Sequence, residues 1–166
     1  MFFFALVGMV ALAVAGLEKL GILELGGSRS AMRWGLAAGL TFAGVDHLVT
    51  PERYLAMMPD FVPMHFEIVL FTGLCELAGA LGLVVPQLTR VAGFMLALYF
   101  VCVFPANIKN ALDGLGVAGL PDAGWYYWLR LPFQPLIIWW TLYAARLIDW
   151  PVGKRASRAK SLIRAR

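Results

Sequence analysis

The sequence predicts an all-α integral membrane protein, a small helical bundle. Three observations predict it. Of 166 residues, 61% are hydrophobic and only 14% are charged, against about 45–50% and about 25% in soluble domains. The apolar residues gather into five runs of near-spanning length, and about 20 residues at 1.5 Å each cross a bilayer. One of those runs carries a carboxyl, Glu76, at its middle. Placing a carboxyl there costs about 2.5–3.5 kcal/mol on insertion scales, so Glu76 must face protein rather than lipid.

The first run, Met1 to Leu17, is followed by the amphipathic segment LEKLGILEL as a candidate extension. Ala11-Leu-Ala13 and Ala13-Val-Ala15 resemble a signal cleavage site, but no Lys or Arg precedes the run. A retained first helix is therefore expected. The second run is Trp34 to Val49, the third Phe66 to Val85, the fourth Val91 to Ile108 and the fifth Leu131 to Ile148. Several are short for a span, which leaves tilt and boundaries open.

Basic residues orient such a chain. With the C-terminus in the cytoplasm, eleven of the fourteen Lys and Arg fall inside, leaving Arg53, Lys109 and Arg130 outside. The N-terminus and two loops then face outward. The loop from Thr50 to His65 holds Pro51, Pro59 and Pro63, which break any long helix. Its Tyr54, Leu55, Met57, Met58 and Phe61 form an apolar face, suited to the membrane surface or to folding back over the bundle. The loop from Ala111 to Trp128 is Gly-rich and ends in four aromatics, Trp125 to Trp128, which fit an interfacial belt. The formal charge of +4 reflects mostly the tail after Gly153. A basic tail beside a span meets anionic lipid headgroups, so no nucleic-acid partner is expected.

Four runs contribute polar groups that converge on the outer side. They are Asp46 and His47, then Glu76, then Asn107, and finally Arg130 and Gln134. Glu76 falls about 13–15 Å below the outer end of its helix. Gly35, Gly39 and Ala43 lead up to His47 on one face, and Thr72, Gly79 and Ala80 flank Glu76, with Thr72 one turn away as a hydrogen-bond partner. A shared pocket lined by His47, Glu76, Asn107, Arg130 and Gln134 is the expectation. Each residue also has a plainer reading. Glu76 can be a neutral structural hub, and His47 an interfacial hydrogen-bonder. Asn107 can satisfy carbonyls freed by Pro105. Arg130 can position the helix or pair with Glu67 or Asp46, and Lys109 and Asp113 can form a solvated pair.

No Cys/His cluster has zinc spacing, so no metal site is expected. No Rossmann or P-loop signature appears, so no cofactor is evident. Cys75 and Cys102 fall within about 2 Å of one another in depth, which keeps a redox pair open. Buried cysteines more often act as small hydrophobes.

The segments AGVDHL ending at Leu48, Pro59-Asp-Phe-Val-Pro63, Thr72-Gly-Leu-Cys-Glu-Leu-Ala-Gly79, Leu81-Gly-Leu83, Thr89-Arg90, Val103-Phe-Pro-Ala-Asn107 and Arg130-Leu-Pro-Phe-Gln134 together resemble the DoxX-like membrane protein family. The resemblance covers about Arg33 to Trp150, with His47-Leu48 in place of the commoner His-Phe. It implies a four-helix DoxX-like core at 33–150 and an added N-terminal transmembrane helix at 1–25, in a bacterial inner membrane, while the Lys and Arg bias makes 151–166 a basic cytoplasmic tail. Some members of that family accompany quinone- or thiol-linked redox systems, and distant relatives look like assembly chaperones for membrane receptors. The resemblance places His47, Glu76, Asn107, Arg130 and Gln134 on family motif positions, which implies a shared pocket rather than a shared reaction. The favoured expectation is a pocket for a small apolar molecule or a partner membrane protein, without catalysis. The alternative is a membrane subunit of a redox system, with quinone as its cofactor. A carrier ranks last, because no inverted repeat is visible.

Overall fold

The computed structural model describes residues 2–114 and 124–151. The Gly-rich stretch 115–123 and the basic tail from 152 onward lie outside the described residues. All regular structure among the described residues is helical.

Helix α1 is Phe2–Lys19. The amphipathic extension does not form: Gly21 takes a left-handed φ of 73°, and the amides of Ile22 and Leu23 fold back onto the Leu17 carbonyl. Glu18 then accepts from the amides of Leu25 and Gly27, at 3.0 Å each, and aims the chain into the next helix. Helix α2, Ser28–Val49, begins six residues before its apolar run. The Ser30 hydroxyl donates back to the Leu25 carbonyl and ties down this polar first turn. Pro51 opens a single helical turn, α3 (Glu52–Leu55), and the prolines beyond it prevent anything longer.

Helix α4 is His65–Val84. The fourth apolar run divides into α5 (Thr89–Cys102) and α6 (Phe104–Asp113), with the break at Val103. Pro105 is the cause, since it lacks an N–H and disfavours helical geometry at the residue before it. Helix α7, Gly124–Ala144, starts seven residues before the expected span and contains Pro132 and Pro135. Its early start corrects the aromatic belt. Trp125 and Trp128 are exposed, but Tyr126 and Tyr127 turn inward and are buried.

Helices α2, α4, α5 and α7 close a ring, each packing on the next and α7 returning to α2, while α1 packs against α2 from outside the ring. A core of Leu36, Leu40, Leu83, Leu96 and Ile137 fills the centre. Close approach sets the spacing. A side chain on Gly44 of α2 would meet the Gly73 carbonyl of α4 at 2.8 Å, and one on Gly73 would meet the His47 side chain at 2.8 Å. Gly35 and Gly39 do not line the route to His47 as expected. They receive Val7 and Phe3 of α1 and so seat the extra helix.

The helices outside this core carry exposed apolar side chains such as Met9, Leu12, Phe71, Leu74, Phe94 and Leu98. Helix α1, helix α4 and the α5–α6 pair are each long and apolar enough to cross a membrane. The two ends of the bundle differ. Arg29 pairs with Asp149 at 2.8 Å, and Arg90 donates to the Arg146 carbonyl at 3.3 Å, so this end gathers basic residues. The opposite end holds the polar site.

Candidate functional site

A cavity of about 380 Å³ opens among the ends of α1, α2, α4, α6 and α7, and His47, Glu76, Asn107, Arg130 and Gln134 all line it. The alternation of helix direction explains the convergence. The C-terminal turns of α2 and the N-terminal halves of α4 and α7 point to the same end, and the Pro105 break brings α6 into the wall beside them.

Asp46 is the most heavily bonded group at the rim. It accepts two bonds from Arg53, at 2.7 and 2.8 Å, one from the Thr50 hydroxyl at 2.8 Å and one from the Tyr54 hydroxyl at 2.5 Å. Burial, and then the Asp46 carboxylate, push the Tyr54 phenol well above its usual range, so it remains a donor. The Tyr54 ring also lies on His47, with centroids 3.7 Å apart. The Pro-rich segment therefore does fold back over the bundle. Met57 is buried and Tyr54 and Met58 line the cavity, but Phe61 points away and is exposed. Lys109 tethers the far part of this segment, donating to the Met58 carbonyl at 2.8 Å and to Asp60 at 2.7 Å. The expected Lys109–Asp113 pair is replaced by this longer-range one. The Lys109 ammonium holds the exposed Asp60 carboxyl below its ordinary value.

His47 meets Thr72 through Nδ1 at 3.0 Å. The Thr72 hydroxyl donates its own proton to the Val69 carbonyl at 2.8 Å, which leaves its oxygen to accept from His47 Nδ1. Thr72 thus serves His47, not Glu76 as the spacing implied. Glu76 is only 6% exposed. Its Oε1 accepts from the Tyr99 hydroxyl at 2.8 Å, and its Oε2 has no partner. Tyr99 carries no signal in the sequence, because a tyrosine in an apolar run looks like any other aromatic.

A second chain of bonds runs along the opposite wall. Arg130 Nη2 donates to Asn107 Oδ1 at 3.2 Å, Asn107 Nδ2 donates to Gln134 Oε1 at 3.2 Å, and Gln134 Nε2 donates to the Phe100 carbonyl at 2.5 Å. Gln134, rather than Asn107, satisfies a carbonyl near the proline break. Arg130 pairs with neither Glu67 nor Asp46: the latter is occupied by Arg53, and Arg130 Nη1 is buried without a partner.

The two cysteines do not line this cavity. Both are free, Cys75 half-buried and Cys102 exposed. Among the described residues, no three His, Cys, Asp or Glu side chains gather as a metal site.

Neither the curated proteins nor the solved structures contain a match to this chain. A family model described as a domain of unknown function, DUF8561, matches residues 36–145. That span runs from the middle of α2 to the end of α7 and includes all five cavity residues anticipated from the sequence. By this match over most of its length, the chain belongs to the DUF8561 family.

Proposed function

We propose that this protein binds a small apolar or amphipathic molecule in the cavity around Glu76 and Arg130, and performs no catalysis of its own. One observation carries the reading. A cavity of about 380 Å³ falls in the range of about 300–1,000 Å³ typical of small-molecule sites. It combines aromatic walls with two incompletely bonded polar groups, Glu76 and Arg130. Buried polar atoms without partners are rare in folded proteins, and each calls for an explanation. A ligand supplies one here.

The wider setting belongs to the same proposal. The chain is a DoxX-like protein of a bacterial inner membrane, with the cavity end outward and the basic end in the cytoplasm. The bias of Lys and Arg supports that orientation. A partner membrane helix is the other occupant of the same chemistry, and the enclosing Pro-rich segment favours a small molecule over it.

The test is mass spectrometry of the protein after mild extraction, beside an Ala43→Phe variant. Ala43 lines the cavity and is half-buried, so a phenyl ring there obstructs part of the space. A small molecule that co-purifies with the native protein and is lost from the variant is the expected result. Equal recovery from both would refute the site. Recovery of a quinone would turn the reading toward the redox alternative.

A further inference from the structure

The cavity has two polar poles of different kinds, the Glu76 carboxyl and the Arg130 guanidinium, each with one atom left without a partner. Among the described residues there are three ion pairs, Arg29–Asp149, Arg53–Asp46 and Lys109–Asp60. Arg130 is in none of them. Asp46 is saturated by Arg53, Thr50 and Tyr54. Glu76 is bonded to Tyr99 on the α5 side, and no bond joins it to Arg130. A guanidinium in a low-dielectric cavity without a carboxylate is unfavourable unless an anion compensates it. Its planar fork matches the two oxygens of a carboxylate or phosphate. Nη1 is the arm left without a partner, and the Asn107 amide beside it has a second N–H beyond the one given to Gln134.

The rest of the cavity is apolar in a particular direction. Phe2, Phe3 and Phe4 of α1 and Phe42 of α2 form its wall. Phe2 and Phe42 touch, with centroids 4.9 Å apart, and both remain about half exposed on the outer surface of the bundle. This wall therefore reaches from the cavity to the face that meets lipid. It has the form of a side entrance for an apolar chain, with the charged pole further in.

We propose that the cavity takes a single-chain anionic amphiphile, its oxyanion head held by Arg130 and Asn107 and its chain lying along Phe2, Phe3 and Phe42. The proposal rests on the ligand-binding reading above and specifies the ligand's class. A fatty carboxylic acid and a monoalkyl phosphate share the head chemistry, and a test with both separates them.

Protein in neutral-lipid nanodiscs is titrated with dodecanoate, dodecyl phosphate, dodecanol and dodecylammonium at mildly alkaline pH, and the rise in melting temperature is followed. At least one anion should bind tenfold or more tightly than the alcohol and the ammonium, and whichever anion is tighter identifies the head. Arg130→Gln should abolish that preference while the alcohol still binds, and Phe42→Ala should weaken all chains alike. The ranking on native protein alone decides the matter should Arg130→Gln fail to fold. Equal binding of alcohol and anions would overturn the head assignment and leave the cavity as a ligand site. Preferential binding of the ammonium would overturn it in favour of Glu76 as the reading group. No binding by any of the four would overturn both proposals together.

Discussion

Glu76 and its single partner decide whether the cavity wall holds its shape. The carboxyl is buried and bonded through one oxygen only, so it and the Tyr99 hydroxyl depend on each other. Tyr99→Phe removes the donor and leaves the carboxyl with neither oxygen bonded, which should cost about 1–3 kcal/mol. Glu76→Gln keeps an acceptor for the Tyr99 hydroxyl and should melt close to the native protein. Glu76→Leu strands that hydroxyl and should melt well below it. Thermal melts of the three variants in one detergent check the order, and indistinguishable melts for native protein and Glu76→Leu would sink the hub. At the rim, Asp46→Ala releases Arg53, Thr50 and Tyr54 at once. It should loosen the covering segment far more than Glu52→Ala, whose side chain is exposed on the same turn, as hydrogen exchange across residues 50–58 would show.

At the scale of elements, the α2–α4 contact and the covering segment carry the consequences. Gly73 sits where any Cβ meets the His47 side chain and the Gly44 carbonyl. Gly73→Val must push the two helices apart and should cost about 1–3 kcal/mol through overpacking. A Cβ at Gly8 of α1 would have nothing within 4 Å, so Gly8→Ala should be neutral or gain about 0.5–1 kcal/mol from reduced backbone freedom. The pair of melts contrasts a packing glycine with an idle one. The tether between Lys109 and Asp60 gives the covering segment a pH dependence with a definite sign. Asp60 is held below its unfolded value in the folded protein. The tether is therefore fully present above the ordinary carboxylate range and is lost as pH falls through the lowered value. Limited proteolysis near Phe61 should accelerate in that acid window. Asp60→Asn should show the faster cleavage already at neutral pH, with little further change on acidification.

For the whole molecule, the question is which way the bundle faces. The cavity end carries Arg53, Lys109 and Arg130, with Arg53 and Lys109 tied to carboxylates. The other end carries Arg29, Arg33, Arg90 and Arg146 ahead of the basic tail. The positive-inside rule makes the cavity end the expected outer one. Phe61 and Trp150 are strongly exposed at opposite ends. In a background with Cys75 and Cys102 replaced by Ala, Phe61→Cys should react with an impermeant maleimide in intact cells. Trp150→Cys should react only after permeabilisation. The reverse pattern would invert the orientation and put the cavity on the cytoplasmic side.

Much of this architecture was legible in the chain. Apolar runs of near-spanning length point to helices, and the described elements are all helical, three of the helical stretches being long and apolar enough to cross a membrane, because helix formation in an apolar run follows from local chemistry. The partners of the polar groups were not legible. Thr72 turning to His47, Tyr99 to Glu76, Arg53 to Asp46 and Lys109 to Asp60 all depend on the rotation of each helix about its axis. The duty of each glycine does too: Gly44 and Gly73 bring α2 against α4, while Gly35 and Gly39 receive α1. Helix rotation is settled by packing between elements distant in sequence, and spacing along one helix carries no record of it. The tertiary structure alone decided that Arg130 ends in the cavity wall with no carboxylate beside it.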